Sequence, residues 1–364
     1  MNTRRAARVT APGVITLETI DDAPPPGPGE VAVELVACGV CGSNLHHLNR
    51  PELVGADRRD SPGAMGHEMV GRVSAVGPDV TTHEVGDPVA LEPQLAAACG
   101  ECAGCASGQA WFCTRPRPLP VWGFADRLVV RARGAWRLPP ELDLLVATLV
   151  EPVAVSVHAL RVTTTAMSRD DDLGGVKVVV LGAGAMGLLT VAAARHLGCD
   201  HVVCVARHEH QARLAARLGA HRVLMDGDPD LDQTLTELAP GLVVECVGGS
   251  ADTFDRALRI AGPAGEISVM GLFDVPQQVR SRAVFRRQLR VVFPVVYGEL
   301  RGRHDFGIAV ELLRGSGLPF GELLTDRFPL ADIGAAFAAA ASKSSGAIRV
   351  LVGRTERDLA PQDT

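Results

Sequence analysis

The hydrophobic and polar positions in the first 150 residues follow the pattern of short β-strands. Apolar residues alternate with polar ones, or run continuously, over residues 31–37, 69–76 and 85–91, and glycine or proline residues separate these stretches. Alternation with a period of two is typical of half-buried strands, and glycine and proline mark the turns between them. This part of the chain is therefore predicted to be predominantly β.

The pattern changes near residue 176. Residues 176–181 form a continuous apolar strand, and similar short strands alternate with helical stretches such as 186–197 and 210–218. Such alternation predicts a parallel, doubly wound sheet. A helix-like stretch at 306–314 leads to a last strand at 347–352, which we expect to rejoin the first domain. The polar tail from Thr355 is expected to be loose.

Composition and charge narrow the class of protein. The chain has 364 residues, 47% of them hydrophobic and 21% charged, which is enough for two globular domains. A net charge of −6 gives no electrostatic footprint for nucleic acid. The basic start lacks the apolar run of about 7–15 residues of a signal peptide, and no run reaches the about 18 apolar residues of a membrane span. We expect a cytoplasmic protein that binds neither nucleic acid nor membranes.

Four of the nine cysteines are closely spaced in one short segment. Cys99, Cys102 and Cys105 recur every three residues, and Cys113 follows after seven further residues. In a reducing compartment such clustering favours metal ligation over disulfides. Four thiolates suit a tetrahedral zinc ion, and a site without an open position has a structural role. The segment therefore predicts a structural zinc site.

A glycine motif follows the predicted strand at 176–181 and opens the next predicted helix. It comprises Gly182, Gly184 and Gly187, with Ala185 and Met186 between the last two glycines. The first glycine allows a tight turn, the second lets the backbone approach a pyrophosphate, and the third lets helix and strand pack closely. Free N–H groups at the helix start would face the phosphates. The motif therefore predicts a dinucleotide site.

The end of the following strand indicates which dinucleotide is bound. An acidic residue is expected there when the adenosine ribose carries a free 2′-hydroxyl, but this chain has Ala206, Arg207 and His208. An arginine accommodates a 2′-phosphate, so NADP(H) is favoured over NAD(H). The alternative is that Arg207 is only a solvated surface arginine.

Several further motifs together resemble one family. In chain order they are Cys38-Gly-Val-Cys41-Gly-Ser43-Asn44-Leu-His46, Gly66-His67-Glu68, Gly86-Asp87, the cysteine segment, Gly123-Phe124-Ala125, Val150-Glu151-Pro152, the glycine motif and Val244-Glu-Cys-Val-Gly248. Over essentially the whole chain they resemble the zinc-dependent medium-chain dehydrogenase/reductase family. The resemblance implies an α/β protein with a GroES-like, mostly β catalytic domain over 1–155 and 300–364, and a Rossmann-type domain over 156–299.

The resemblance also implies a catalytic zinc site with an open position. Cys41 and His67 match two of the family's ligands, and the third ligand is the glutamate of Glu-Pro or that of Gly-His-Glu, here Glu151 or Glu68. Either suits a site with three protein ligands and a fourth position for water or substrate. We favour Glu151 as the resting ligand, with Glu68 able to exchange when substrate enters. Glu68 as a hydrogen-bonding partner behind the ligands is the alternative.

Other site residues are carried over in the same way. Ser43 and His46 match the family's proton relay, and Leu45 and Trp122 are candidate pocket walls, although Trp122 can equally belong to the core. Asn44 replaces the family's usual aspartate, which orients the ligand histidine. The amide oxygen is expected to accept the imidazole N–H without adding charge.

Val247 and Gly271 complete the cofactor residues that the resemblance implies. The implied reaction is hydride transfer between NADP(H) and a secondary alcohol or ketone, with a polyol, sugar, cyclitol or amino alcohol as the small-molecule substrate. A redox-neutral epimerase or a double-bond reductase on the same scaffold is the alternative among enzymes. A non-catalytic NADPH-binding protein is the alternative outside them. Family members are typically dimers or tetramers, so a homo-dimer or homo-tetramer is expected.

Overall fold

A computed structural model of the chain describes residues 3–49, 65–119, 122–166, 170–342 and 346–360. It divides into two compact units. The first comprises Met1–Glu151, Arg301–Gly315 and Phe320–Thr364, and the second comprises Pro152–Leu300 and Ser316–Pro319. Among the described residues, no helix has both the length and the apolar character needed to cross a membrane.

The strands are short and are separated by turns or helices. Their bounds are β1 (Thr3–Ala11), β2 (Val14–Asp21), β3 (Glu30–Gly39), β4 (Glu68–Val76), β5 (Pro88–Leu91), β6 (Arg127–Arg131), β7 (Ala135–Arg137), β8 (Lys177–Leu181), β9 (His201–Ala206), β10 (Arg222–Met225), β11 (Leu242–Glu245), β12 (Glu266–Val269), β13 (Arg290–Val292), β14 (Glu299–Leu300), β15 (Arg303–His304), β16 (Leu324–Pro329) and β17 (Arg349–Gly353).

The helices range from single turns to about four and a half turns. Their bounds are α1 (Gly42–Asn49), α2 (Pro93–Ala97), α3 (Ala103–Ala106), α4 (Leu144–Ala147), α5 (Val150–Ala166), α6 (Ala185–His196), α7 (Glu209–Arg217), α8 (Leu231–Leu238), α9 (Thr253–Ile260), α10 (Ser281–Arg287), α11 (Asp305–Gly315) and α12 (Ile333–Ala341).

The first unit is built on a seven-stranded sheet. Its strand order is β16-β17-β3-β4-β5-β7, and β6 also pairs with β3. The alternate residues Val31, Val33 and Leu35 of β3 are at most 1% exposed, which matches the period of two in the sequence. The last strand, β17, pairs antiparallel with β3, so the end of the chain completes this sheet.

The second unit contains a six-stranded sheet with the order β10-β9-β8-β11-β12-β13. All of its strand pairs are parallel. The sheet is doubly wound, since the strand order reverses between β8 and β11, and ligands of such sheets bind at the carboxyl ends of the strands beside that point. The mostly β first unit and this Rossmann-type sheet confirm the predicted α/β fold class.

Two local expectations need correction. The strand expected from residue 85 begins only at Pro88, because Gly86 adopts a φ of +96° and the N–H of Asp87 donates to the carbonyl of Glu84 in a turn. The tail is not loose up to residue 360. The side chain of Asp358 accepts hydrogen bonds from the N–H and hydroxyl of Thr355, and Leu359 is buried. Residues 361–364 lie outside the described part.

Candidate active site

The predicted structural zinc ligands lie together in the first unit. The sulfur atoms of Cys99, Cys102, Cys105 and Cys113 lie within 4.8 Å of one another. Backbone N–H groups point at these sulfurs, for example that of Gly100 at Cys105, 3.3 Å away. Such donors stabilise thiolates, and backbone hydrogen bonds from the Cys105 and Thr114 positions lower the pKa of Cys102 to about 5. Four sulfurs at this separation fit one tetrahedral zinc ion.

The second cluster forms where β3 ends and β4 begins. Gly39 and Glu68 are partners in the antiparallel pair of these strands, which brings Cys41, just after β3, beside His67 and Glu68 at the start of β4. The Cys41 sulfur, a His67 ring nitrogen and a Glu68 carboxylate oxygen lie within 4.8 Å of one another. Sulfur, imidazole and carboxylate are ligand types of catalytic zinc sites with three protein ligands. The donor set therefore fits zinc.

Glu68 is fully buried and forms an ion pair with Arg349 of β17. Burial raises the pKa of Glu68 to about 7, and the positive charge of Arg349 opposes that rise. The other carboxylate oxygen, Oε2, has no hydrogen-bond partner among the described residues. A buried oxygen without a partner beside a cysteine and a histidine is what a metal ligand needs. No sequence motif marked Arg349, because its strand joins the site only through the sheet.

Glu151 is buried in the first turn of α5 but lies outside the group of ligand atoms within 4.8 Å. Burial raises its pKa to about 8, a rise that the charge of His67 opposes and the charges of Glu68 and Cys41 increase. These electrostatic couplings place Glu151 in the vicinity of the cluster. The carboxylate of Glu68 is therefore closer to the ligand atoms of Cys41 and His67 than the carboxylate of Glu151 is.

Helix α1 carries the predicted relay. Ser43 and His46 are three residues apart and therefore lie on one face of the helix, and both are partly buried. Asn44 is almost fully buried, and its Oδ1 accepts a hydrogen bond from the backbone N–H of Cys41 at 3.0 Å. This side chain therefore fixes the backbone of the candidate ligand Cys41, and its acceptance of the imidazole N–H of His67 stays a prediction.

The predicted pocket walls differ in their surroundings. Trp122 is 6% exposed within the hydrophobic core of the first unit, which favours the core alternative, whereas Leu45 is only partly buried and packs on that core. Cys38 is also in this core. Cys38 lies outside the group of ligand atoms formed by Cys41, His67 and Glu68, and a Cβ atom on Gly123 would lie 2.4 Å from its sulfur.

The glycine motif of the second unit has the geometry of a dinucleotide cradle. Gly182 has a φ of +99°, and a Cβ atom on Gly187 would lie 1.8 Å from the Gly182 carbonyl oxygen, so both turn and helix packing require glycine. A Cβ atom on Gly184 would meet nothing within 4 Å. Gly184 is also the N-cap of α6 and offers no side-chain cap, and Ala185 and Met186 follow in the first turn. The open space and free N–H groups fit a pyrophosphate.

Arg207 and His208 follow β9, as the sequence predicts. The Arg207 side chain is 76% exposed, and the His208 ring stacks on that of His210 with centroids 5.6 Å apart. The structure adds Asp226, which directly follows β10. The N–H of Asp226 donates to the carbonyl of Ala206, and its carboxylate lies 3.7 Å from Arg207. The neighbouring strand thus places an acidic side chain beside Arg207, which sequence spacing did not reveal.

Glu245, at the end of β11, lies in the motif at residues 244–248, which by itself indicates no separate role for the glutamate. Its buried carboxylate accepts hydrogen bonds from the N–H groups of Val247 and Gly248 and from the hydroxyl of Thr253. Its carbonyl oxygen accepts one from the N–H of Gly271 at 3.1 Å. Glu245 therefore fixes the loops that carry the predicted cofactor residues Val247 and Gly271.

Comparisons with known proteins agree with this geometry. Residues 27–140 match the model of the alcohol dehydrogenase GroES-like domain, and residues 185–314 match that of zinc-binding dehydrogenases. An L-threonine 3-dehydrogenase of Pyrococcus furiosus is 33% identical over 258 residues, 69% of this chain and 71% of the relative. An L-idonate 5-dehydrogenase of Vitis vinifera is 28% identical over 339 residues, 89% of this chain and 88% of the relative.

A solved structure shows the same fold. A zinc-binding dehydrogenase of Sinorhizobium meliloti, bound to NADP, superposes with a TM-score of 0.80 at 25% identity, over 97% of this chain and all of the other. The two domain matches, the relatives and the donor clusters agree with one another. The chain is an oxidoreductase that belongs to the zinc-dependent medium-chain dehydrogenase/reductase family.

Proposed function

We propose that this enzyme transfers a hydride between NADP(H) and a secondary alcohol or its ketone. The observation that carries the proposal is the cluster of Cys41, His67 and Glu68 in the first unit, where Cys41 directly precedes the relay helix α1. The second unit of the same chain contains the dinucleotide cradle. A zinc ion held there supplies a Lewis acid for the substrate oxygen. NADP(H) supplies the hydride acceptor or donor, and the protein orients it.

The chain's own residues then move the proton. When the alcohol is oxidised, its hydroxyl proton passes to the Ser43 Oγ, and the Ser43 proton passes to the imidazole of His46, which releases it to solvent. In the reduction the same groups return a proton to the oxygen. The shared face of α1 supports this order, because positions three apart are neighbours on a helix.

The metal ligands proposed for the resting site are Cys41, His67 and Glu151, with Glu68 exchanging for Glu151 when substrate enters. The ion pair between Glu68 and Arg349 supports this assignment, because it already engages one oxygen of Glu68. Cys99, Cys102, Cys105 and Cys113 are proposed to hold the structural zinc. These two sets give an expected content of two zinc ions per chain.

The names of the relatives support a substrate class. Threonine is an amino alcohol and idonate is a polyhydroxy acid. In both cases the match extends over more than two thirds of the relative's length. We propose that the substrate is a polyol, sugar, cyclitol or amino alcohol with a secondary hydroxyl group. Leu45 is the proposed pocket wall.

The cofactor preference rests on Arg207, whose exposed guanidinium can pair with a 2′-phosphate. The test is turnover on a panel of polyols, aminocyclitols and the corresponding ketones, with kcat/KM measured for NADPH and NADH. We expect turnover with a higher kcat/KM for NADPH. A clear NADH preference would contradict the cofactor assignment, and net isomerisation without a change in cofactor absorbance would favour an epimerase.

We also propose that the chain forms a homo-oligomer through the second unit. Strand β13 lies at the edge of the described six-stranded sheet. Phe285, in helix α10 before this strand, is 82% exposed, and Phe293, directly after the strand, is 64% exposed. An unpaired strand edge with exposed aromatic residues is a template for pairing with a second copy of the same surface.

A further inference from the structure

The carboxylate of Asp226 lies between two arginines at the carboxyl end of the six-stranded sheet. Its Oδ1 is 2.6 Å from Nη1 of Arg256, and its Oδ2 is 3.7 Å from Nη2 of Arg207. The backbone fixes this position, because Met225 and Ala206 are partners in the parallel pair β10 and β9 and the N–H of Asp226 donates to the carbonyl of Ala206. Asp226 is therefore held beside the residue that follows β9.

The two arginines are held with unequal strength. The Arg256 side chain is 16% exposed and has a second carboxylate partner, Asp232, at 2.9 Å. The Arg207 side chain is 76% exposed and contacts Asp226 only at the long distance of 3.7 Å. Exposed ion pairs of this kind contribute little, so Arg207 can exchange its partner while Arg256 keeps Asp226 in place.

We propose that Asp226 is a specificity-determining residue that limits the preference for NADP(H) which Arg207 provides. This inference rests on the proposed function, in which Arg207 faces the 2′ position of the adenosine ribose. A 2′-phosphate carries close to two negative charges at neutral pH. Asp226 competes with that phosphate for the Arg207 guanidinium and repels the phosphate at the same time.

The same carboxylate favours the unphosphorylated cofactor. A free 2′-hydroxyl can donate a hydrogen bond to a carboxylate, which is how Rossmann-type sites with an acid at the neighbouring position bind NAD(H). At the 2′ position of the ribose, Arg207 thus favours the phosphorylated cofactor and Asp226 favours the unphosphorylated one. Their balance sets the ratio of the two cofactor affinities.

The test compares D226N with D232N in the full-length, zinc-loaded chain. Dissociation constants are measured by calorimetry for 2′,5′-ADP and 5′-AMP, and kcat/KM is measured with NADPH and NADH. Asparagine keeps an oxygen that can accept from Arg256 and removes the charge. We expect D226N to raise the preference for the 2′-phosphorylated ligand about two- to five-fold, as the loss of one partly exposed charge interaction predicts. D232N removes a carboxylate that also pairs with Arg256 and should leave the preference unchanged.

A third variant, R207A, separates this inference from the proposed function. If Arg207 faces the 2′-phosphate, R207A weakens 2′,5′-ADP binding about ten-fold and leaves 5′-AMP binding unchanged. A preference in D226N equal to that of the wild type, or lower, overturns the inference. An R207A chain that binds 2′,5′-ADP as tightly as the wild type overturns the cofactor assignment of the proposed function instead.

Discussion

At the residue scale, the candidate active site contains two buried carboxyl groups. Glu68 is 0% exposed and Glu151 is 7% exposed, and both carboxyl groups lie near Cys41 and His67. A buried carboxylate is costly unless a cation accompanies it. Arg349 supplies that cation for Glu68, which leaves Glu151 as the group that most needs the metal.

This difference predicts separate effects for the two glutamates. Glu151→Gln removes a charged ligand of the resting site, so we expect the zinc content to fall from two ions per chain to one after dialysis against a weak chelator. Glu68→Gln should keep both ions and lower turnover at least ten-fold, because the exchange step is lost. Zinc is counted by atomic emission on each variant. Loss of zinc from Glu68→Gln with retention in Glu151→Gln would reverse the assignment.

The sequence points to the candidate site residues that belong to motifs. It does not point to the side chains of other strands that contact them. The cysteine spacing, Gly-His-Glu and the glycine motif each lie within a few residues of the chain, where spacing alone decides proximity. Arg349 and Asp226 reach their sites through the pairing of strands that are distant in sequence. Asn44 accepts a hydrogen bond from the backbone N–H of Cys41, a contact at the helix start that the motif did not indicate.

At the scale of elements, periodicity predicted which segments are strands and helices, and local turns decided their ends. Strand β9 ends at Ala206, directly before Arg207, as the sequence predicts, whereas β5 loses three expected residues to the turn around Gly86. Turns depend on backbone conformations that glycine adopts readily and that a hydrophobic pattern does not report. The tail after Thr355 is ordered up to residue 360 by hydrogen bonds to Asp358.

The glycines of the cradle give a prediction at this scale. Gly187→Ala places a Cβ atom against the Gly182 carbonyl oxygen, so it should lower Tm by several degrees. Gly184→Ala has open space and should leave Tm of the cofactor-free chain unchanged. Its methyl group would occupy the position of the pyrophosphate, and we expect NADPH to bind at least ten-fold more weakly. Thermal melts and calorimetry measure the two effects, and equal Tm values for both variants would contradict the packing argument.

At the scale of the whole molecule, the chain combines a mostly β unit that carries both metal clusters with a parallel-sheet unit that carries the dinucleotide cradle. This division could be predicted because the hydrophobic pattern differs between the two parts of the sequence. Short alternating strands fill the first part, and apolar strands alternate with helical stretches in the second. The assembly of copies could not be predicted from spacing. The contact proposed for it rests on which strand lies at the edge of the described sheet, and that is a property of the folded topology.

The proposed oligomer is tested by a substitution near strand β13, the edge strand of the six-stranded sheet. Phe285→Glu places a charge on the exposed apolar surface beside β13, so we expect the mass measured by light scattering to fall to that of a single chain. Val14→Glu changes an exposed residue of the first unit and should leave the assembly intact. An unchanged mass for Phe285→Glu would place the contact elsewhere.

The two metal clusters are proposed to differ in role: the cluster of Cys41 performs the chemistry and the four-cysteine cluster holds structure. The most direct test measures NADPH-linked turnover on the alcohol and ketone panel for the wild type, Cys41→Ser and Cys102→Ser, with zinc counted in the same samples. We expect Cys41→Ser to fold with the Tm of the wild type, to lose one zinc ion and to lose all turnover. Cys102→Ser should lose the other ion, and its Tm should fall while the chains that remain folded still turn over substrate. Turnover by Cys41→Ser at the rate of the wild type would contradict the account.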